Sequence, residues 1–308
     1  GRMSMVLEGD NLSNSVWKHI TSAQRTGGAT QYRKFALKAD NADNIGMTNV
    51  RVGLGFPTAG GDRVYCFPGT QTDIQSDISS PDRYGAGKLD ANVSASATTI
   101  TVLVENPATI IFRNGGLIRL SDMASVFDVG NEEEVRISGT PTIAGNIVTI
   151  TLATPLANAY SASDTYVAAL MEFGDAAAGV VGTPVVTSTA GTFDKAHVSG
   201  NNIGGIRHTV TLTFYSATQF GGTSDVLGSL GFDSNTSSIY APTNETMGAP
   251  LFSIDPAAWG GTFEAGDTVV IVFDPCAVMW WEERIVPVGM ATLPPQTLTR
   301  IFFAESAG

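Results

Sequence analysis

Histidine and cysteine are scarce in this chain of 308 residues, at 3 and 2 copies, and only 15% of the residues are charged. Each scarcity excludes something. Cys66 and Cys276 are too few for a disulfide framework or a zinc site, so both are expected as reduced core residues. Only His19, His197 and His208 could act as the base of a nucleophilic catalytic centre, and no G-x-S-x-G elbow is present to use them. No P-loop or G-x-G-x-x-G fingerprint joins a strand to a helix, so no nucleotide cofactor is expected. The 17 basic residues face 29 acidic ones, a formal net charge of −12. Phosphate binding needs a dense Lys/Arg surface, and nucleic acid is therefore not an expected partner. No apolar run approaches the ~20 residues of a membrane span. The residues after Met3 and Met5 lack the basic start and apolar core of a signal peptide, so synthesis in a cytoplasm without membrane insertion is expected.

What is present reads as strand. Hydrophobic residues make up 43%, enough for a packed core, and Thr, Ser, Asn and Gly take the surface role that charges fill elsewhere. From Arg207 to Tyr215 the chain alternates strictly: His208, Val210, Leu212 and Phe214 on one face, Thr209, Thr211 and Thr213 on the other. The same period recurs at Tyr32–Lys38, Thr48–Leu54, Thr98–Val104, Glu134–Ser138 and Asn146–Leu152, with Gly, Pro, Asn and Asp turns between. Thr268–Phe273 is a continuous apolar run, the pattern of a central strand covered on both faces. A 3.6-residue period with caps is missing; one short helix is expected within Asn11–Gln24.

The fold expected is all-β, with two or three small β-sandwich or β-barrel domains: residues 1–87, 88–173 and 183–308. Ser79–Gly87 and Gly174–Gly182 read as linkers. The middle block has five strands, enough for a small barrel, and the pattern leaves open whether it is consecutive or inserted into a sandwich shared by the other two.

Candidate chemistry is sparse. Asp122, Asp128, Glu132, Glu133 and Glu134 form an acidic stretch that could chelate a hard cation, but Glu133 and Glu134 fall on opposite faces of their strand and no EF-hand spacing is present. A solvated hairpin approach is the expectation, with no metal and no cofactor. Asp73, Asp77 and Asp82 are candidates for a glycosidase carboxylate pair only because such pairs leave no sequence signature. The segment from Cys276 to Pro287 is the most distinctive. As a strand it puts Val278, Trp280, Glu282 and Arg284 on one face and Met279, Trp281, Glu283 and Ile285 on the other. One tryptophan is expected in the core and the other capping the sheet or at a subunit contact.

The phrase Trp280-Trp281-Glu282-Glu283-Arg284-Ile285-Val286-Pro287, followed after a few residues by a β-like Gln296–Phe303, resembles the W-x-x-R-x-V-P ending of virion structural proteins of tailed bacteriophages and prophages. Tyr32–Lys38 with Thr48–Val52 resembles their opening strand pair, and Gly130–Gly139 with Asn146–Leu152 their small barrel module. The resemblance implies a non-enzymatic tail, baseplate or neck subunit. Its expected partners are itself and other virion proteins, and it would reside in the assembled virion. Trp280, Trp281, Arg284, Leu298, Ile301, Phe302 and Phe303 are then the candidate interface. Two other classes fit the composition: a carbohydrate- or host-surface-binding β-sandwich with a tryptophan as stacking platform, and a polysaccharide or cell-wall hydrolase.

Overall fold

Alternation in the sequence becomes one covered and one solvated face wherever a strand has a single packed side. In His208–Phe214 the covered residues are His208, Val210, Leu212 and Phe214, and the threonines between them turn outward. The computed structural model describes residues 16–58, 60–123, 128–292 and 298–306, and among these the fold is nearly all β. The one α-helix among them is Ser22–Gly27. Its start is set by a capping box: the Thr21 hydroxyl accepts the Gln24 N–H at 3.2 Å, and the Gln24 side chain accepts the Thr21 N–H at 2.9 Å. The helix overlaps only the end of the expected window, whose residues 11–15 lie outside the described part.

Three sheets carry the architecture. The smallest orders β1 (Ala29–Lys38), the tryptophan strand (Ala277–Val286) and β3 (Arg63–Gly69), all antiparallel. The first and last parts of the chain therefore share one sheet. Between β3 and the tryptophan strand the chain makes two long excursions.

The first supplies seven strands of the nine-stranded sheet, which β2 and the strand Arg300–Ser306 complete. β2 (Met47–Leu54) pairs on one side with the strand Arg300–Ser306 and on the other with β10 (Tyr166–Ala176). From β10 the order runs through β4 (Ala86–Leu89), β5 (Thr99–Leu103), β9 (Ile147–Thr151) and β8 (Thr142–Ala144). On the other edge of β10 lies β6 (Leu117–Ser121), followed by β7 (Glu132–Arg136). The sheet curls around Leu89, Ile100, Val102, Ile118, Leu120, Ile150 and Val167 until Ile137 meets Leu152 at one isolated bridge. No continuous ladder follows that bridge, so the barrel expected for the middle block is not closed.

The second excursion forms the six-stranded sheet. It runs from β11 (Gly179–Thr187) through Thr268–Asp274 and His208–Phe214 to Gln219–Ser224, with two short strands at its far end. Its core is aromatic: Phe214 stacks on Phe263 at 4.0 Å and Phe252 on Phe273 at 4.1 Å between ring centroids.

Three expectations need correcting. Thr268–Asp274 is central but fully covered on one face only: Val269, Ile271 and Phe273 are buried, while Val270 and Val272 stay partly exposed. The 174–182 segment is not a linker, since β10 runs to Ala176 and β11 starts at Gly179. Positive φ at Gly174 and Gly182 lets both strands bend through bulges, and that geometry, rather than looseness, explains the glycines. The end of the expected 79–87 linker is also structural. Tyr84 bridges Cys66, and Gly87 lies in β4 where a Cβ would come within 2.5 Å of a Val102 methyl. The first and third blocks are further tied by Asn202, which is fully buried and donates to the Ile45 carbonyl at 2.7 Å.

Candidate functional site

The tryptophan strand is flanked by β1 and β3 and covered on both faces, which is why its two apolar-then-charged faces both fold inward. Val278 and Trp280 join Val50, Val52, Leu54 and Cys66 in one core cluster, and the Trp280 ring stacks on Phe35 at 5.6 Å. Further along the same face come Glu282 and Arg284. Trp281 and Glu283 occupy the other face, as the alternation requires.

Every buried charge here is matched. Glu282 is 0% exposed; its carboxylate accepts from Arg300 Nε at 2.5 Å and Nη2 at 2.8 Å, and from the Trp280 and Trp17 indoles at 3.4 Å each. Glu283 accepts from Arg83 at 2.5 and 3.0 Å and from the Tyr32 hydroxyl at 2.8 Å. Burial, and then that hydrogen bond, push the Tyr32 phenol up from its ordinary value. Arg284 donates to Asp62 at 2.9 Å and to the Lys18 carbonyl at 3.0 Å. The Trp281 indole donates to Asp73 at 2.7 Å, and Lys34 pairs with the same carboxylate at 2.5 Å. Burial alone would raise the Asp73 carboxyl, but the hydrogen bonds from Lys34, Trp281 and the Thr70 N–H outweigh it and hold the group below its usual range.

This lattice changes the candidate interface. Trp280, Trp281 and Arg284 are 2%, 6% and 7% exposed within the single chain, so their contact area is already spent. Both tryptophans are core, where one was expected to cap the sheet or meet a subunit: Trp280 packs with the β2 residues, Phe35 and Phe302, and Trp281 is closed over by Lys34 and Asp73. Ile301 is buried as well, Leu298 and Phe303 are half-buried, and only Phe302, at 44%, offers a large apolar surface. Trp280 is thereby unavailable as a sugar-stacking platform.

Four of the five residues of the acidic stretch are consumed in the same way, and Asp128 is exposed. Glu132 pairs with Arg119 at 2.5 Å and Glu134 with Arg51, while Glu133, on the opposite face, accepts the N–H groups of Ala157 and Asn158. Asp122 accepts from the Asn131 N–H at 2.6 Å. Among the described residues no group of three or more His, Cys, Asp or Glu side chains is arranged to hold a metal ion. Asp73, Asp77 and Asp82 each serve a different partner: Trp281 and Lys34, the Ile74 N–H, and Arg113. His208 is buried between Phe252 and Phe273 with Nδ1 3.0 Å from the Ser224 hydroxyl, and His197 sits in an exposed turn 3.8 Å from Asp194.

Concavities and open strand edges mark the described surface. An apolar cavity of about 280 Å³ lies beside β8, lined by Ile110, Phe112, Pro141 and Ile143 among others. A polar one of about 450 Å³ is lined in part by Ser229, Thr243, Asn244, Glu245 and Thr246. β11 has Thr268–Asp274 on one side and no strand among the described residues on the other, and it exposes Val185 at 61%. Among the described residues the Arg300–Ser306 strand pairs with β2 alone, and it exposes Phe302.

No protein-family model matches the chain, and no curated protein matches it.

Proposed function

We propose that this chain is a non-enzymatic structural subunit of a tailed-phage or prophage virion, in the tail or baseplate, assembling through its β-rich surface. The observation that carries the reading is the pair of open sheet edges. β11 and Arg300–Ser306 are edge strands next to exposed Val185 and Phe302; Arg300–Ser306 has neither proline nor lysine, whereas β11 is partly blunted by Pro184, by its bulge and by Lys195 donating to the Gly182 carbonyl, so Arg300–Ser306 is the more open of the two. Such edges add to a neighbour's sheet, and repeated around a symmetry axis they close a ring. The resemblance of the 281–287 phrase to virion proteins supports the same reading. A net charge of −12 keeps the unassembled subunit soluble. The test is light scattering on a sizing column with negative-stain imaging of the main peak. A discrete ring- or spike-shaped oligomer is expected. A strict monomer at every concentration overturns self-assembly as its role.

A further inference from the structure

The strand Arg300–Ser306 contributes more to the fold than its edge position suggests. Arg300 supplies the bidentate partner of the fully buried Glu282, and its guanidinium lies 4.5 Å from the Phe35 ring centroid. On the opposite face Ile301 fills a cluster made by Ala86, Leu117, Ala168 and Leu170. Phe302 packs on Trp280 at 5.4 Å, and Phe303 lies under the guanidinium groups of Arg51 and Arg119 at 5.2 and 6.0 Å.

The cradle cannot stand empty. Withdrawing the strand would leave Glu282 charged, buried and without its main partner, and would open the Ile301 cluster to water. Refilling it requires an arginine, an isoleucine and two phenylalanines in consecutive order, in extended form, with their faces alternating. A second copy of the same segment supplies that set. Yet among the described residues its backbone pairs with β2 alone, and thirteen residues separate it from Val286 in the sequence. Fully extended, that connection reaches about 43 Å, enough to carry the strand to an adjacent molecule.

We propose that Arg300–Ser306 is an exchangeable arm, docking on β2 of a second copy of this chain with the register it uses on its own. Own-chain and partner-chain docking make the same strand contacts, so the balance between them is set by concentration and by the connection, including what holds it, such as the Gly289 N–H on the Arg25 carbonyl. The proposal names the partner and the element of contact. It is independent of any role in a virion, because exchange is measured on the purified chain.

Thr48 and Glu305 are register partners on β2 and the arm, away from the core, and partners in an antiparallel ladder lie at a separation a disulfide can bridge. The double variant Thr48→Cys/Glu305→Cys should form this bridge and establishes that the pair is competent. The two single variants are then mixed, refolded together at high protein concentration and oxidised. A disulfide-linked heterodimer is expected, at about tenfold or more over the dimer from either single variant alone. If the double variant bridges within one chain and the mixture gives no heterodimer above the single-variant background, exchange is refuted. Oligomers by light scattering without heterodimer refute the arm and leave the structural role standing. Heterodimer without any larger assembly supports the arm and counts against that role.

Discussion

Replacing Glu282 by Gln tests whether the buried lattice, rather than the surface ion pairs, fixes the Arg300–Ser306 strand against the tryptophan strand. The side chain is 0% exposed and accepts two hydrogen bonds from Arg300. Removing one partner of a buried ion pair costs ~3–5 kcal/mol, much of it the penalty of the charge left behind. Arg300 has a side chain that is 20% exposed, so its guanidinium recovers some hydration and the lower end applies, about 3 kcal/mol or roughly 140-fold in the unfolding constant. Arg136 and Glu172 provide the control: they pair at 2.6 Å, but their side chains are 51% and 40% exposed. Arg136→Ala should cost under about 1 kcal/mol, because water screens the pair and replaces the lost bonds. Urea unfolding followed by tryptophan fluorescence reads both, since Trp280 and Trp281 adjoin Glu282. Glu282→Gln/Arg300→Met should recover part of the loss, because an apolar replacement leaves no orphaned charge. If Glu282→Gln proves no more costly than Arg136→Ala, the lattice is not what joins these elements and the reasoning fails.

Three further outcomes follow from the same geometry. Burial pushes the Cys66 thiol well above its ordinary value and raises that of Cys276, so neither should react with a disulfide reagent at pH 8 until the chain is unfolded, when both should. Asp73 is held below its ordinary value, so the stability it contributes is present above the unfolded carboxyl range and lost as pH falls through the folded one; melting temperatures of wild type and Asp73→Asn should differ at pH 6 and begin to converge only below about pH 4, and a gap unchanged further into acid would contradict this. Phe214→Ala removes a 1% exposed ring stacked on Phe263 and should cost ~3–5 kcal/mol in denaturant unfolding, with a loss below 1 kcal/mol ruling out the aromatic core as the anchor of its sheet.

A two-residue period in residues such as Val210, Leu212 and Phe214 was enough to make strands, because a pleated strand with one packed face imposes that alternation, and among the described residues the capping box of Thr21 and Gln24 starts the one α-helix. The two faces of the tryptophan strand were legible for the same reason. Which neighbours cover those faces was not. Asp62, Asp73 and Arg83 lie some two hundred residues from the side chains they pair with, and no local pattern records such a distance. Glycine misled in both supposed linkers, since composition does not separate a glycine that loosens a chain from one that lets a strand bend, as at Gly174, or lets two strands close up, as at Gly87. The all-β class, the strand faces and the poverty of catalytic groups belong to the sequence, being set by local period and by residue type. Tertiary structure alone decided that both tryptophans are buried, that the acidic stretch is bound to arginines and backbone amides, and that the first strand and the tryptophan strand share a sheet, because each depends on long-range pairing that only the packed chain brings about.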